Sequence, residues 1–257
     1  MPFIIKPRVI LLQSWGSEKF IASMSDVIYR GYNVEDALKR TDLNPGLVFK
    51  RINSFLKDGH YSVLEFMGAN WLIEGSRALT HELIRHRIAS YWQESQRYVD
   101  YTKGQLRYVL PLESYTLSEY LDQASKVYVE SRKNMSPEDS RYFLPNAMAS
   151  RIWIQMNARE FFTNFLPLRA GLGAFHEIRL IAWLMYDSLI NTFPLTSEWV
   201  WGNLVNLHPD FCRDAEKFKQ IYGSDDCRLL SILDAFKKWG IEVPEKLKTF
   251  VERTKNA

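Results

Sequence analysis

The apolar residues of this chain follow two different patterns, and that division limits its fold more than any other feature. Two short runs, Val9–Leu12 and Tyr61–Ile73, are rich in β-branched, aromatic and leucine side chains, which is typical of strands. From Ala147 to Ile190 the spacing is instead helical almost throughout, with breaks near Pro167 and Gly171–Gly173. A mixed sheet beside a segregated helical layer is therefore predicted, which is an α+β fold.

Local signals place helices between and after these two strands. Residues 34–38 follow Asn33, and Pro45–Leu56 follows Asn44 and is closed by Gly59, so each segment has the start or stop signals of a helix. A third helix is expected to run from Gly75–Ser76 to about Arg85.

The next segments are predicted from shorter patterns. Arg97–Tyr101 alternates enough to indicate a strand, which leaves Arg85–Gln96 as a turn or short helix. The stripe from Leu117 to Tyr128 has the 3.6-residue period of a helix. Ser136-Pro137 resembles a cap followed by a first-turn proline.

Charge and length exclude several classes of protein. The 257 residues suit one large domain or two small ones, and 33 Lys and Arg against 30 Asp and Glu give a net charge of +3. That balance does not favour a nucleic-acid coat or an electrostatic membrane anchor. No apolar stretch approaches the ~20 residues of a membrane helix. We expect residues 1–195 to form the main domain. Residues 196–257, in which Pro209, Gly223, Gly240 and Pro244 separate short helical pieces, are expected to form a helical appendage.

The cysteines and histidines offer neither a metal site nor a disulfide framework. Cys212 and Cys227 lie fifteen residues apart without a Cys-x-x-Cys pair, so a reducing cytoplasm is the expected location. None of the five histidines belongs to a metal-binding motif. Gly-rich dinucleotide and P-loop fingerprints are also absent from the sequence.

The densest polar segment, residues 85–98, is suited to a nucleotide. It contains three arginines, a histidine, two serines and three aromatic residues. Guanidinium groups bind phosphate bidentately, and aromatic faces stack on heterocycles. The plainer interpretation is a solvated connection with ordinary surface salt bridges.

A second polar set lies in the predicted helical half. Burying so many guanidiniums without partners would cost several kcal/mol, so they pair with Glu160 and Glu177 or face a ligand. The set consists of Arg141, Arg151, Asn157, Arg159, Asn164, Arg169, His176, Glu177 and Arg179.

The order of these segments resembles the flavin-dependent thymidylate synthase family. Arg85-His86-Arg87, seven residues, Ser95 and then Arg97-Tyr98 is similar to the family signature. The segments Gly59–Glu65 and Arg141–Asn146 resemble its upstream flavin segment and its nucleotide-binding arginine segment. Asn157-Ala158-Arg159, Leu168-Arg169 and Glu177–Arg179 complete the order over roughly residues 1–195.

The resemblance implies a homotetramer with shared active sites that methylates dUMP to dTMP with FAD, methylenetetrahydrofolate and NADPH, without a cysteine nucleophile. The FAD contacts it implies are Ser62, Arg85, His86, Arg87, Gln93, Asn157, Arg159 and Asn164, with Ser25 a weaker candidate. The dUMP contacts are Glu82, Leu83, Ile84 and Arg85 from one subunit, Gln93, Glu94, Ser95, Gln96 and Arg97 from another, and Arg141 and Arg169.

Arg169 is the catalytic candidate. The family residue that it matches polarises the uracil ring, and a guanidinium beside the ring stabilises charge that develops there. Methylation of dUMP remains one interpretation, and a family member without turnover is another. A module that binds RNA or single strands through its arginines and aromatic residues is the alternative from a different class.

Three departures from the family pattern bear on the site. Glu82 stands where the family usually has glutamine, and its carboxylate would repel a phosphate unless Arg85 or a lysine compensates. Phe66 stands where histidine is frequent. One extra residue between Asn157 and Arg169 leaves Thr163 or Asn164 as the flavin contact and predicts a π-bulge there.

Overall fold

The fold combines two small sheets with a predominantly helical second half, as predicted for an α+β chain. The structure is a computed structural model and describes residues 3–104 and 106–255. Its strands are β1 (Phe3–Ile5), β2 (Arg8–Trp15), β3 (Gly68–Ser76), β4 (Ala89–Gln93), β5 (Arg107–Val109) and β6 (Ala149–Asn157). Antiparallel strands in the order β2-β3-β6-β4 form the larger sheet, and β1 pairs in parallel with β5.

The helices fall between, before and after these strands. They are α1 (Glu18–Arg30), α2 (Val34–Leu43), α3 (Pro45–Lys57), α4 (Arg77–Leu83), α5 (Glu119–Ser131), α6 (Pro137–Ser140), α7 (Ala158–Glu160), α8 (Leu166–Arg169), α9 (His176–Leu189), α10 (Pro194–Leu207), α11 (Ala215–Tyr222), α12 (Cys227–Trp239) and α13 (Glu245–Lys255). Short 3-10 helices cover Tyr61–Phe66, Tyr101–Lys103, Leu112–Leu117 and Arg141–Phe143.

The predicted helix starts are confirmed by their caps. Asn33, Asn44, Ser76 and Ser136 each accept a hydrogen bond from a backbone N–H in the first turn of α2, α3, α4 and α6. Such caps satisfy donors that a helix start leaves unpaired. The prediction that only two helices separate the first strands is wrong, because α1 also lies there, capped by Ser17.

Three strand predictions need correction. Only the second half of Tyr61–Ile73 belongs to a strand, since Tyr61–Phe66 is a 3-10 helix and β3 begins at Gly68. Arg85–Gln96 contains β4, and Arg97–Tyr101 is not a strand. β4 pairs with β6 along all five of its residues, so a long-range partner, not the local pattern, decides where the strand lies.

The helical prediction for Ala147–Ile190 is wrong at its start, where β6 lies. Within β6, Ile152, Ile154 and Met156 are buried, while the residues between them are exposed. This period of two is the mark of a half-buried strand. The predicted π-bulge is confirmed, because Phe161–Phe165 is a π-helix between α7 and α8.

The C-terminal helices share the hydrophobic core with the rest of the chain. Rings of Trp183 on α9 and Trp201 on α10 lie 6.1 Å apart, and Tyr186 contacts Phe250 on α13 at 6.0 Å. The buried carboxylate of Glu18 accepts hydrogen bonds from the backbone N–H groups of Leu195 and Thr196 at the start of α10. These contacts hold α9 in place, and α9 carries Glu177, which bonds Ser76 at the candidate site.

The interpretation of the cysteines is also wrong. Cys212 and Cys227 form a disulfide, with their Cα atoms 5.5 Å apart. The fold brings the segment before α11 against the first residue of α12, a proximity that sequence spacing does not reveal. The bond therefore links the segment before α11 to the start of α12.

None of the described helices combines the length and the apolarity needed to cross a bilayer.

Candidate active site

Helix α4 carries the first predicted site residues to the edge of the sheet. Ser76 caps the helix through the backbone N–H of Leu79 at 3.0 Å, and the buried Glu177 accepts from the backbone N–H and hydroxyl of Ser76 at 2.7 and 2.5 Å. Tyr91 of β4 donates its hydroxyl to the carbonyl oxygens of Leu83 and His86 at 2.6 and 2.7 Å. Hydrogen bonds thus hold both the start of α4, at Ser76, and the turn from Leu83 to His86 that follows the helix.

A buried histidine connects this turn to the second half of the chain. Arg169 donates from Nε to Nε2 of His86 at 2.9 Å, and Nδ1 of His86 lies 3.2 Å from Oε1 of Glu160. An arginine only donates, so Nε2 of His86 is the acceptor and Nδ1 carries the proton toward Glu160. The imidazole also packs edge-on against Phe165, with 4.8 Å between ring centroids.

The π-helix places one amide side chain against the same carboxylate, and a second amide caps the short helix before it. Asn157 accepts from the backbone N–H of Glu160 at 2.8 Å and so caps α7. Asn164 donates from Nδ2 to Oε1 of Glu160, also at 2.8 Å. Thr163 instead donates its hydroxyl to the carbonyl oxygen of Arg159 at 2.8 Å. The extra residue left Thr163 and Asn164 as candidates for the flavin contact. Of these two, Asn164 has a side-chain carbonyl oxygen that accepts no hydrogen bond from the described residues.

Arg169 is also the partner of the unusual Glu82. Nη1 of Arg169 lies 3.4 Å from Oε2 of Glu82, and both side chains are partly buried. Burial raises the pKa of Glu82, and the charge of Arg169 opposes that rise. The cation beside Glu82 is therefore Arg169, and not Arg85 or a lysine as expected from the sequence.

A cleft of about 310 Å³ opens beside this network. Its lining residues are Glu65, Ile88, Asn157, Arg159, Glu160, Thr163 and Asn164. Nη1 of Arg159 lies 2.5 Å from Oε1 of Glu65, which joins α7 to the 3-10 helix that carries the exposed Ser62. Arg85 and Arg87 are exposed and, within the described residues, their guanidiniums contact no acceptor. Ser25 is buried in α1 and donates its hydroxyl to Ala22, away from this cleft.

The other predicted substrate residues lie at the far end of β4. Gln93 donates from Nε2 to the hydroxyls of Thr80 and Ser150 at 2.9 and 3.1 Å. Glu94 accepts from the hydroxyl of Tyr101 at 2.9 Å. Ser95 accepts from the backbone N–H of Arg97 at 3.2 Å.

The helix α6 reaches the same end of the strand. Nε of Arg97 lies 3.1 Å from Oε1 of Glu138 on α6. Arg141 follows α6 directly and is half-buried, and Gln96 is half-buried as well. These residues form a second polar group with Gln93, Glu94 and Ser95.

Strand β4 separates the two groups of predicted residues within one chain. Ala89 pairs with Met156, beside Asn157, whereas Gln93 pairs with Ile152 at the other end. Four residue steps along an antiparallel strand span ~14 Å. The structure therefore brings Glu82, His86, Asn157, Arg159, Asn164 and Arg169 together, and it places Gln93, Glu94, Ser95 and Arg97 at or beyond the other end of β4, where Gln93 still bonds Thr80 of α4. Leu83 is buried in the core, and Ile84 is exposed.

The outer face of the larger sheet exposes a row of apolar side chains. Ile10, Leu72, Trp153 and Trp92 are direct partners across β2, β3, β6 and β4. Trp92 is 75% exposed and stacks on Trp153 with 6.0 Å between ring centroids. A contiguous apolar row on an open sheet face is typical of an interaction surface.

Sequence reasoning missed several carboxylates that organise the arginines. From the sequence, Glu160 was only one possible partner of the arginines, yet its carboxylate lies within hydrogen-bond distance of both His86 and Asn164. Glu74 of β3 binds Arg8, Arg107 and Arg151, and the charge of Arg107 contributes most to holding the pKa of this glutamate below its usual value against the effect of burial.

Among the described residues, no group of three His, Cys, Asp or Glu side chains is arranged to hold a metal ion.

Comparison with known proteins identifies relatives over most of the chain. Residues 10–195 match the family described as thymidylate synthase complementing protein. A flavin-dependent thymidylate synthase from Pyrobaculum aerophilum is 44% identical over 240 residues, which cover 93% of this chain and 94% of that protein. One from Clostridium tetani is 33% identical, and the match covers 80% of this chain and 92% of that protein.

The fold also matches solved structures. A UMP/dUMP methylase, PolB from Streptomyces cacaoi, bound with 5-Br dUMP superposes with a TM-score of 0.66. The match covers 77% of this chain and 96% of that one, at 20% sequence identity. At this identity the likeness establishes a shared fold.

Proposed function

This chain belongs to the flavin-dependent thymidylate synthase family, and from that membership we infer that it is a methyltransferase that converts dUMP to dTMP. We propose FAD as its cofactor, methylenetetrahydrofolate as the carbon donor and NADPH as the reductant. The observation that carries the proposal is the chain of contacts from Arg169 through His86 and Glu160 to Asn164. It joins the arginine expected at the uracil ring to an amide expected at the flavin.

The residues around the cleft are suited to FAD. The guanidiniums of Arg85 and Arg87 bind no acceptor in the part of the chain that the structure describes, so they can bind a pyrophosphate, which arginine forks bind bidentately. Asn157, Asn164 and Arg159 border the cleft with groups that bond a polar ring edge, while Ser62 lies on the adjoining 3-10 helix. FAD, when bound, supplies hydride transfer.

Arg169 is suited to polarise the uracil ring. Its Nε is held by His86 and its Nη1 by Glu82, so the orientation of the guanidinium is fixed before substrate binds. A preorganised cation stabilises negative charge that develops on a ring oxygen and costs no reorganisation at the moment of reaction. Both cysteines form the disulfide, which leaves no thiol for nucleophilic attack.

A second copy of the chain would complete the site. We propose that Gln93, Glu94, Ser95, Gln96 and Arg97, which lie at and beyond the end of β4 remote from Asn157, serve the site of a partner subunit, with Arg97 and Arg141 at the dUMP phosphate. The apolar row Ile10–Leu72–Trp153–Trp92 supports assembly, because burying it removes large apolar side chains from water. A homotetramer with shared sites is our proposal for the assembly.

Two observations on purified protein test the proposal. The protein is expected to be yellow, to lose flavin absorbance on addition of NADPH, and to form dTMP when dUMP and methylenetetrahydrofolate are both present. Bleaching without dTMP formation would leave a flavoprotein that lacks the methyltransferase activity. A colourless protein that retains nucleic acid would contradict the proposal and favour the stacking and phosphate-binding alternative.

A further inference from the structure

A second cleft lies outside the candidate active site, between the C-terminal helices and the start of α9. It has a volume of about 560 Å³, within the range of small-molecule sites. Its walls come from α9, α11, α12 and the segment Leu112–Glu113. None of its lining residues belongs to the candidate active site.

The cleft contains more cationic than anionic side chains. Its cations are Arg179, Lys217, Lys237 and Lys238, and its anions are Glu113 and Asp234. Lys238 pairs with Glu113 at 2.7 Å, and Arg179 pairs with Asp234 at 3.1 Å. Both anions are thereby neutralised, which leaves the charges of Lys217 and Lys237 in excess.

The two remaining lysines lie on facing helices and are exposed. The ammonium group of Lys217 on α11 has no hydrogen bond or ion pair within the described residues. Lys237 of α12 lies 5.4 Å from the ring centroid of Tyr222. Two unneutralised cations at one opening match the charge of a phosphate monoester, which is ≈ −1.5 to −2 at pH 7.

Buried polar groups at the base of the cleft also lack partners. Arg179 is 4% exposed, and its Nε is buried without an acceptor in the described part of the protein. Nδ1 of His176 is likewise buried and unbonded. Burial, then the charges of Lys238 and Arg179, lower the pKa of His176 to about 4, so this imidazole is neutral at pH 7.

Apolar side chains line the rest of the opening. Leu112 and Ile221 are exposed at its mouth, and the rings of Phe175, Phe218 and Tyr222 form its sides. The cleft thus presents apolar and aromatic surface next to excess positive charge. Aromatic faces beside cations are suited to a planar base that carries a phosphate.

The disulfide holds these walls together. Cys227 is the first residue of α12, and Cys212 lies three residues before α11 begins. α11 and α12 also meet through the hydroxyl of Tyr222, which donates to Oδ1 of Asp234 at 3.1 Å. The cleft is therefore formed by elements that are joined covalently and by hydrogen bonds.

We propose that this cleft binds a nucleoside phosphate, with Lys217 and Lys237 at the phosphate and the aromatic rings against the base. This site is separate from the one proposed for dUMP. It lies on the segment that follows Arg169, since Ala174 accepts a hydrogen bond from Nη2 of Arg179 at 3.2 Å. A ligand in the cleft would therefore contact the segment that follows Arg169, through Ala174 and Arg179.

Calorimetric titration with AMP tests this site in full-length protein loaded with FAD and one equivalent of dUMP per chain. We expect AMP to bind, and adenosine and inorganic phosphate each to bind at least about tenfold more weakly. The double variant Lys217→Ala, Lys237→Ala is expected to weaken AMP binding at least about tenfold while dTMP formation without AMP stays at the wild-type rate.

Lys50 and Lys57, both exposed on α3, provide the matched control. Their double alanine variant is expected to bind AMP as the wild type does. The proposal is overturned if AMP fails to bind the loaded protein, if the Lys217, Lys237 variant binds it undiminished, or if phosphate alone binds as tightly as AMP. The binding readout does not depend on turnover, so loss of the proposed methyltransferase activity would leave this test intact.

Discussion

Arg169 donates a hydrogen bond from Nε to Nε2 of His86 over 2.9 Å, and this bond fixes the tautomer of the histidine. Nδ1 then carries the proton and faces Glu160 at 3.2 Å. The position of the guanidinium is thereby coupled to the π-helix, where Asn164 also binds Glu160. The side chains that we propose to face the substrate and the cofactor are therefore parts of one hydrogen-bond network.

Arg169→Ala is expected to lower turnover on the order of 10²–10³-fold while FAD stays bound. Removal of one preorganised donor to developing charge typically costs ~2.7–4 kcal/mol. Steady-state dTMP formation and flavin absorbance of the purified variant measure the two effects.

Arg253→Ala is the control for Arg169→Ala. Arg253 is exposed on α13 and pairs with Glu198 outside the site, so its loss is expected to leave turnover unchanged. Equal turnover in Arg169→Ala and wild type would reject the catalytic role of Arg169.

Two inactive variants are expected to complement each other if the site is shared. Arg97→Ala and Arg169→Ala remove residues that different chains would contribute to one shared site, so random co-assembly of the two variants gives about a quarter of sites without either change. Co-expressed with separate affinity tags and isolated as mixed oligomers, they should regain activity that neither has alone. Mixed oligomers as inactive as the pure variants would show that one chain supplies both residues.

Glu177 predicts a pH dependence of stability. Burial raises the pKa of its carboxyl to about 7, against the hydrogen bonds from Ser76. A carboxyl whose pKa is raised by folding stabilises the protein below its unfolded pKa, and this contribution is lost as pH rises through the folded value. Between pH 4.5 and 8, the contribution of Glu177 to the free energy of unfolding is expected to fall by about 3 kcal/mol.

Glu177→Gln removes this titration, so the stability of the variant relative to wild type should rise with pH across the same window. Urea unfolding at pH 4.5, 6 and 8 measures the difference. Glu252→Gln, an exposed change on α13, is the control and should follow the wild type at every pH. A constant difference between Glu177→Gln and wild type would contradict the buried, protonated carboxyl.

Reduction of the Cys212–Cys227 disulfide is expected to destabilise the protein. A cross-link that closes a 15-residue separation restricts the unfolded chain by about 3 kcal/mol. In a protein of this size such a loss lowers the melting temperature by roughly 5–10 °C.

Thermal unfolding with and without dithiothreitol checks this prediction, with thiol titration to confirm reduction. The double variant Cys212→Ser, Cys227→Ser should unfold at the temperature of the reduced protein and not respond to dithiothreitol. An unchanged melting temperature after complete reduction would show that the bond does not contribute to stability.

The sequence was most informative where local chemistry decides the structure. Asn44, Ser76 and Ser136 begin helices because their side chains bond the next backbone N–H groups, an interaction set within four residues. The extra residue between Asn157 and Arg169 likewise appears as a π-helix in the same segment.

Structure that depends on pairing between distant segments could not be predicted from the local pattern. β4 and β6 were interpreted as turn and helix, because Arg, Gln and Met in β6 are good helix formers and only the register with β3 makes it a central strand. The partners of the arginines were equally hidden. Glu74 meets Arg107 and Arg151 only once three strands are assembled, and the disulfide depends on how α12 returns to α11.

A crystal structure with FAD and dUMP tests the central claim most directly. We expect the guanidinium of Arg169 within hydrogen-bond distance of the uracil ring, the flavin over the cleft lined by Asn157 and Asn164, and Arg97 of a neighbouring subunit at the phosphate. Both ligands bound with Arg87 and Arg169 on separate surfaces, neither touching flavin or nucleotide, would contradict the account.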